Sequence, residues 1–313
     1  MILWVIGRGG LLGRAISSRL QFPAGQGFTQ YVPGAVPWGN PAQAAEILRS
    51  QARAFEGVAG TDPWGIIWAA GAATTSTAQA EAATELGLLS ALLEGVRSAL
   101  PRGPGAFFLT SSAGGVYAGS TGAPFTVRTE PQPLSPYGEL KLAQEAAVEQ
   151  ILAPVCPVAI GRISNLYGPG QNLDKLQGLI SRLALSAVTR QPTNIFVSLD
   201  TIRDYIFTSD AADVALQAVS TAAAAQEHRL DIIASGQPTT VGQLIRVMDQ
   251  IAKRRVPVAF GTHASAAAQS RDLRLEPTIQ PADPTPLPAG VKSVYLDILH
   301  RVQQTQLPAP ATA

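Results

Sequence analysis

The chain has 313 residues, 46% of them hydrophobic, enough for one large domain or two modest ones with a sizeable buried core. Only 14% are charged, the formal net charge is +1, and no long run of like charge occurs, so the electrostatic footprint of a nucleic-acid-binding protein is missing. The single cysteine, Cys156, excludes an internal disulfide, and the histidines at 228, 263 and 300 are too scattered to suggest a metal site, so no metal is expected.

The opening MILWVI is apolar, but it stops at Gly7 and Arg8, too early for a signal-peptide core or a membrane span. A cytoplasmic protein with no membrane partner is expected. Strand-length apolar runs stand at 2–6 (ILWVI), 65–70 (GIIWAA), 106–110 (AFFLT) and 157–163 (PVAIGRI), separated by longer stretches rich in Ala, Leu and Glu. That alternation predicts βαβ units, hence an α/β fold with a parallel sheet covered by helices on both faces. The first helix is expected from about Gly10, turning Leu11, Leu12, Ile16 and Leu20 inward, and later helical periods run over 41–55 and 78–100. Beyond Ile163 the pattern loosens: SNLYGPGQN (164–172) reads as a turn-rich loop, followed by a helix near 174–189 and a short strand IFVSL (195–199). QPADPTPLPAG (280–290) is proline-rich, and the closing LPAPATA reads as a frayed tail.

The first strand runs straight into G7-R8-G9-G10-L11-L12-G13, a G-x-x-G-x-x-G spacing. Glycines there permit a tight turn, a close approach of backbone N–H groups to a pyrophosphate, and packing of the new helix on the sheet, its N-terminus facing the anion. Such loops also serve as plain strand-to-helix turns; this one's place directly after an apolar strand favours the Rossmann-type reading. About 20 residues on, dinucleotide sites usually carry an acidic side chain for the adenosine ribose. The stretch G27-F28-T29-Q30-Y31-V32-P33 has none, while Arg8 in the glycine loop is a candidate to face a 2′-phosphate, the bland alternative being a solvent-exposed loop arginine, so NAD and NADP both stay open.

In SPYGELK (135–141), Ser135 is a candidate N-cap and Pro136 a first helical residue, which sets Tyr137 and Lys141 one turn apart on one face. A tyrosine ordinarily loses its proton near pH 10, and a neighbouring ammonium favours the phenolate, giving a proton acceptor and donor of the kind that hydride transfer to an alcohol carbon requires. The bland alternative is an exposed aromatic beside a surface lysine. Upstream, Ser111 and Ser112 close the run AFFLT, where a hydroxyl at the carboxyl end of a parallel strand faces the ligand crevice, although serines there also cap helices.

Six landmarks in order, the glycine loop at 7–13, WAAG at 68–71, TSSAGGVY at 110–117, SPYGELK at 135–141, GRISNLYGPGQN at 161–172 and RDYIFTSDAADV at 203–214, resemble the extended short-chain dehydrogenase/reductases, specifically the NAD-dependent epimerase/dehydratase group that acts on nucleotide sugars. The resemblance implies a catalytic Ser112, Tyr137 and Lys141, with Ser111 in reserve. It implies cofactor contacts from Gly7, Gly10, Leu11, Leu12, Gly13, Ala70, Gly71, Tyr137 and Lys141, the cofactor being NAD with NADP open. It also implies contacts of Asn165 and Arg203 with a sugar-nucleotide diphosphate, Arg271 being a weaker candidate; for Arg203 the alternative is a salt bridge with Asp204 or Asp210.

Two departures stand out. In many epimerases the catalytic hydroxyl sits four residues before the V-Y-G tyrosine, and that place is Ala113 here, with Ser112 one step off; the glycine after that tyrosine is Ala118. Sugar 4,6-dehydratases resemble one another in an Asp-Glu pair after the hydroxyl residue, where this chain has Ala113 and Gly114, which argues against a dehydratase. The expected activity is therefore epimerisation of a nucleotide sugar, at C4, with reduction or dehydrogenation of a nucleotide sugar or other ketone as the alternative and a non-catalytic dinucleotide-binding regulator behind it. A dinucleotide-binding domain at 1–165 plus 193–236 is expected beside a substrate-binding lobe at 166–192 plus 237–313. A homodimer through the 78–100 and 136–152 helices is implied by the resemblance alone.

Overall fold

The computed structural model describes residues 1–21, 27–74, 77–173, 178–262 and 270–306. His263, the tail 307–313 and the start of the helix expected from 174 lie outside them. In chain order, β1 (Ile2–Ile6) leads into α1 (Leu11–Gln21) and β2 (Thr29–Tyr31), then α2 (Pro41–Ala59), β3 (Trp64–Trp68), α3 (Gln79–Ser98) and β4 (Gly105–Ser112). The short α4 (Ala113–Val116) precedes α5 (Pro136–Ile151), β5 (Val158–Ile163), β6 (Asn165–Tyr167), α6 (Leu179–Thr189), β7 (Thr193–Ile195) and β8 (Ile202–Phe207). The chain closes with α7 (Thr208–Ala225), β9 (Arg229–Ile233), β10 (Pro238–Thr240), α8 (Val241–Ala252), β11 (Val258–Phe260) and α9 (Leu287–Gln306).

Six strands form one parallel sheet in the order β2-β1-β3-β4-β5-β9. Side chains alternate across it, as strand geometry requires. From β1, Trp4 and Ile6 join α2, α3 and α5 in one core, whereas Leu3 and Val5 join α1 and α7 in the other. The apolar runs are uninterrupted because both faces are covered. From β1 the chain passes to β2 on one side and then to β3 on the other, so the crevice at the carboxyl ends of β1 and β3 is the switch point where such sheets take ligands.

Beyond β5 some elements differ from those expected. Asn165–Tyr167, expected as loop, form β6, which pairs in parallel with β8, and β8 pairs antiparallel with β10. The expected strand 195–199 is only Thr193–Ile195, paired with β11, because a turn closed by Thr201 N–H on the Ser198 carbonyl takes the chain away. β9 completes the six-stranded sheet beside β5, and α7 packs on that sheet in the same core as α1. A third apolar core joins α6, α8 and α9 to Tyr167 and Tyr205.

Candidate functional site

The glycine loop stands at the switch point. Gly7 has φ +88°, and a Cβ there would lie 2.5–2.6 Å from backbone atoms of Ala69 and Ala70, so the loop after β3 packs directly on the loop after β1. At Gly13 a Cβ would lie 2.1 Å from the Gly7 carbonyl oxygen, which fixes α1 against the turn. Gly10 N–H donates to that carbonyl at 2.9 Å, whereas a side chain at Gly9 would enter open space. Leu12 is buried in the α1–α7 core and Leu11 is half-buried at the first helical position. The result is an open cradle at a helix N-terminus, the environment an anionic pyrophosphate needs.

The candidate reacting groups come from the carboxyl end of β4 and the start of α5. Ser111 and Ser112 end β4 and point to opposite faces. Ser111 turns inward and donates to Glu145 Oε1. Ser112 caps α4, its Oγ accepting from Gly115 N–H at 3.2 Å, which leaves its own O–H free to donate. Ser135 caps α5, accepting from Gly138 N–H at 3.3 Å, and Pro136 occupies the first turn as expected. Gly115 and Gly138 make the approach possible: a Cβ on Gly115 would lie 3.0 Å from the Tyr137 ring, and one on Gly138 would lie 2.4 Å from the Gly115 carbonyl. The structure thus seats the Tyr137 ring on the turn that Ser112 caps.

Lys141 is 6% exposed, with Nζ 5.8 Å from the Tyr137 ring centroid. Its ammonium donates to Gln144 Oε1 at 2.9 Å and, at 3.4 Å, to the Thr110 carbonyl. Gln144 Nε2 donates to Glu85 Oε1 at 3.1 Å, and Glu85 Oε2 accepts from the N–H groups of Ala72 and Ala73 at 2.9 and 3.0 Å. Gly71 has its own reason to lack a side chain, since a Cβ there would lie 2.9 Å from Glu85 Oε1. Neither Glu85 nor Gln144 was anticipated. Gln144 lies one turn from Lys141 on α5, a legible i,i+3 spacing, but nothing local in sequence points to Glu85, 59 residues from Gln144.

Behind the site, Arg162 on β5 pairs with Glu145 and donates to the Tyr117 hydroxyl at 2.7 Å. Burial works against the Arg162 charge, but Glu145 more than offsets it and the guanidinium is held above its ordinary range. One residue past β5, the buried Ser164 hydroxyl has no partner among the described residues, and Thr110 Oγ1 is in the same position.

The candidate phosphate contacts are spread apart in character. Asn165 Nδ2 donates to the Asp204 carbonyl at 2.8 Å and so ties β6 to β8. Arg203 is 9% exposed and Nη1 donates to the Ile202 carbonyl at 2.9 Å; burial presses its charge down, while Tyr205 and Asp272 oppose that. The two carboxylates expected as alternative partners accept other bonds: Asp204 from Ser235 and Gln237, and Asp210 from Thr285. Arg271 is exposed and pairs with Asp200, though its carbonyl accepts from Ile202 N–H, next to Arg203. Among the described residues no group of three or more His, Cys, Asp or Glu is placed to hold a metal, and no helix is long and apolar enough to cross a membrane.

The model of the NAD dependent epimerase/dehydratase family matches residues 3–232, from the first strand to the last of the six-stranded sheet. The chain belongs to this family of enzymes. Among curated relatives, a dTDP-L-rhamnose 4-epimerase of Burkholderia thailandensis is 33% identical over 125 residues, 39% of this chain and 33% of that protein. A dTDP-4-dehydro-6-deoxyglucose reductase of Escherichia coli is 30% identical over 153 residues, 48% of this chain and 47% of that protein. The matches therefore span a third to a half of the relatives' length. In solved structures the same fold recurs: UDP-glucose 4-epimerase of Brucella ovis with NAD superposes with a TM-score of 0.79 at 19% identity, covering 95% of this chain and 98% of that one. RMD of Pseudomonas aeruginosa with NADPH gives 0.76 at 21%, covering 96% and 99%. The six-stranded parallel sheet of the family member described here is the architecture expected from its sequence.

Proposed function

We propose that this chain is an NAD(P)-dependent epimerase of nucleotide sugars acting at C4, with Tyr137, Lys141 and Ser112 as its catalytic residues. The observation that carries the reading is the seating of Tyr137 over the Ser112-capped turn with the buried Lys141 ammonium beside its ring. The open cradle of Gly7, Gly10 and Gly13, backed by Ala70 and Gly71, would hold the dinucleotide, and Leu11 and Leu12 fix the helix that faces its pyrophosphate. The nicotinamide supplies a hydride acceptor and donor when bound.

The protein's own part is positioning and proton traffic. Tyr137 takes the proton of the sugar hydroxyl whose carbon is oxidised and returns it when that carbon is reduced. Ser112, whose lone pair is occupied by Gly115 N–H, donates its O–H to the same oxygen and holds it as charge develops. Lys141 holds the nicotinamide ribose. Asn165, Arg203 and Arg271 lie on the second lobe, where a diphosphate would bridge from the sugar, an arginine fork matching its oxygens. The described residues of 166–192 and 237–306 would together shape the sugar pocket.

A second reading, an NADPH-dependent reductase, draws on the half-buried Arg8 in a site without an acidic residue after β2. One experiment separates them: denature the purified protein, identify any released nicotinamide nucleotide, and screen UDP-, GDP- and dTDP-sugars. Retained NAD with sugar conversion and no net cofactor consumption is expected; stoichiometric NADPH consumption selects the reductase. Tyr137→Phe should abolish turnover while keeping cofactor binding, and unchanged turnover in that variant removes the proposed mechanism.

A further inference from the structure

We infer that Glu85 and Gln144 are a positioning pair that sets the Lys141 ammonium and the loop after β3 in register with each other. This rests on the assignment of Lys141 to the nicotinamide ribose. The connection is continuous: ammonium to amide oxygen at 2.9 Å, amide N–H to carboxylate at 3.1 Å, and carboxylate to two successive backbone N–H groups at 2.9 and 3.0 Å. The Gln144 amide has a single satisfactory orientation in it, because a flipped amide would put N–H against the ammonium and C=O against the carboxylate.

The pair solves a mechanical problem. A lysine side chain is a flexible four-carbon stem, and freezing it costs rotamer entropy that a single long contact with the Thr110 carbonyl cannot offset. Gln144 provides the second anchor, and with two donors engaged Lys141 keeps one N–H for a ligand. Glu85, on α3, holds Gln144 on α5 and the 71–74 loop at once, so the two sides of the crevice are fixed by one carboxylate. The glycine at 71 that admits this carboxylate belongs to the same device.

The test uses full-length protein titrated with NADH, followed by fluorescence, and with ADP, which lacks the nicotinamide ribose. Gln144→Leu removes both amide bonds; Glu85→Gln leaves one acceptor oxygen, so an N–H meets an N–H at either Gln144 or the Ala72–Ala73 loop. The double variant Glu85→Gln/Gln144→Glu reverses donor and acceptor, restoring a bond between the two side chains and giving Lys141 a direct carboxylate partner. Each single change should weaken NADH binding about tenfold, the loss of a hydrogen bond to a charged group. ADP should bind Gln144→Leu as it binds wild type, and the double variant should recover most of the NADH affinity. Single variants that bind NADH like wild type, an equal loss for ADP, or a double variant no better than the worse single one overturns the pair. Should Gln144→Leu fail to fold, the comparison of Glu85→Gln with the double variant decides. Wild-type protein that binds no nicotinamide dinucleotide overturns the reading of the whole site and the pair with it.

Discussion

Arg162 and Glu145 form a two-pronged ion pair between β5 and α5, with Nε 3.0 Å from Oε1 and Nη2 2.6 Å from Oε2. Both side chains are only 7% exposed, so water cannot substitute for either partner. Removing one leaves the other charged and buried, which is far costlier than replacing both with apolar groups. Arg162→Met should therefore destabilise the fold by about 3–5 kcal/mol in denaturant titrations. Arg162→Met/Glu145→Leu should lose less than the single variant. A single variant as stable as wild type contradicts the burial argument.

The two serines at the end of β4 should behave oppositely. Ser111→Ala takes a donor from Glu145, which keeps its Arg162 bonds, so a stability loss of about 1–2 kcal/mol with turnover retained is expected. Ser112→Ala should leave the core intact and lower turnover about a hundredfold, the usual cost of removing one donor to a developing oxyanion. Steady-state rates on a converted sugar nucleotide and melting curves of both variants check the contrast, and equal rates would return the catalytic role to Ser111 or to neither.

Glycines of the cradle separate by what surrounds them. Gly13→Ala forces a methyl to within 2.1 Å of the Gly7 carbonyl, a backbone atom that cannot step aside without moving the loop. It should lose at least tenfold in dinucleotide affinity together with a lowered melting temperature. Gly9→Ala, with nothing within 4 Å, should fold normally. Comparable damage at both positions would mean that the loop tolerates or rejects side chains for some reason other than this packing.

Burial pushes the Cys156 thiol up to about 12 from an ordinary 9.0. The native protein keeps that proton after an unfolded chain has released it. Stability is therefore unaffected by this group below pH 9 and falls between pH 9 and 12, by at most about 1.4 kcal/mol per pH unit. Thiol reagents should label Cys156 at pH 8 only after denaturant is added. Rapid labelling of the folded protein excludes the buried, protonated thiol.

Much of the Rossmann half was legible because its signals are local. β1, β3, β4 and β5 are continuous apolar runs, and the Ser135–Pro136 start fixes the phase of α5, hence the shared face of Tyr137 and Lys141. The second lobe was less so. Asn165–Tyr167 is a strand only because β8, some 40 residues on, offers it a parallel edge, and the intervening Gly-Pro-Gly reads as loop in any window. Arg203 carries no local mark of burial. Glu85 and Gln144 meet because α3 packs beside α5, a relation that no short stretch of chain encodes.

Gly170 sits where the two ends of the described chain meet. Its carbonyl accepts from Arg14 on α1, and its N–H donates at 2.9 Å to Asp297 on α9, so a single residue, through its two adjoining peptide units, fastens α1 to α9. During synthesis, which delivers the N-terminal half first, the sheet can assemble while this fastening is still incomplete. The α1 helix, which starts at the glycine loop, gains this brace only when residue 297 has cleared the ribosome, so the setting of that loop depends on chain far beyond the six-stranded sheet.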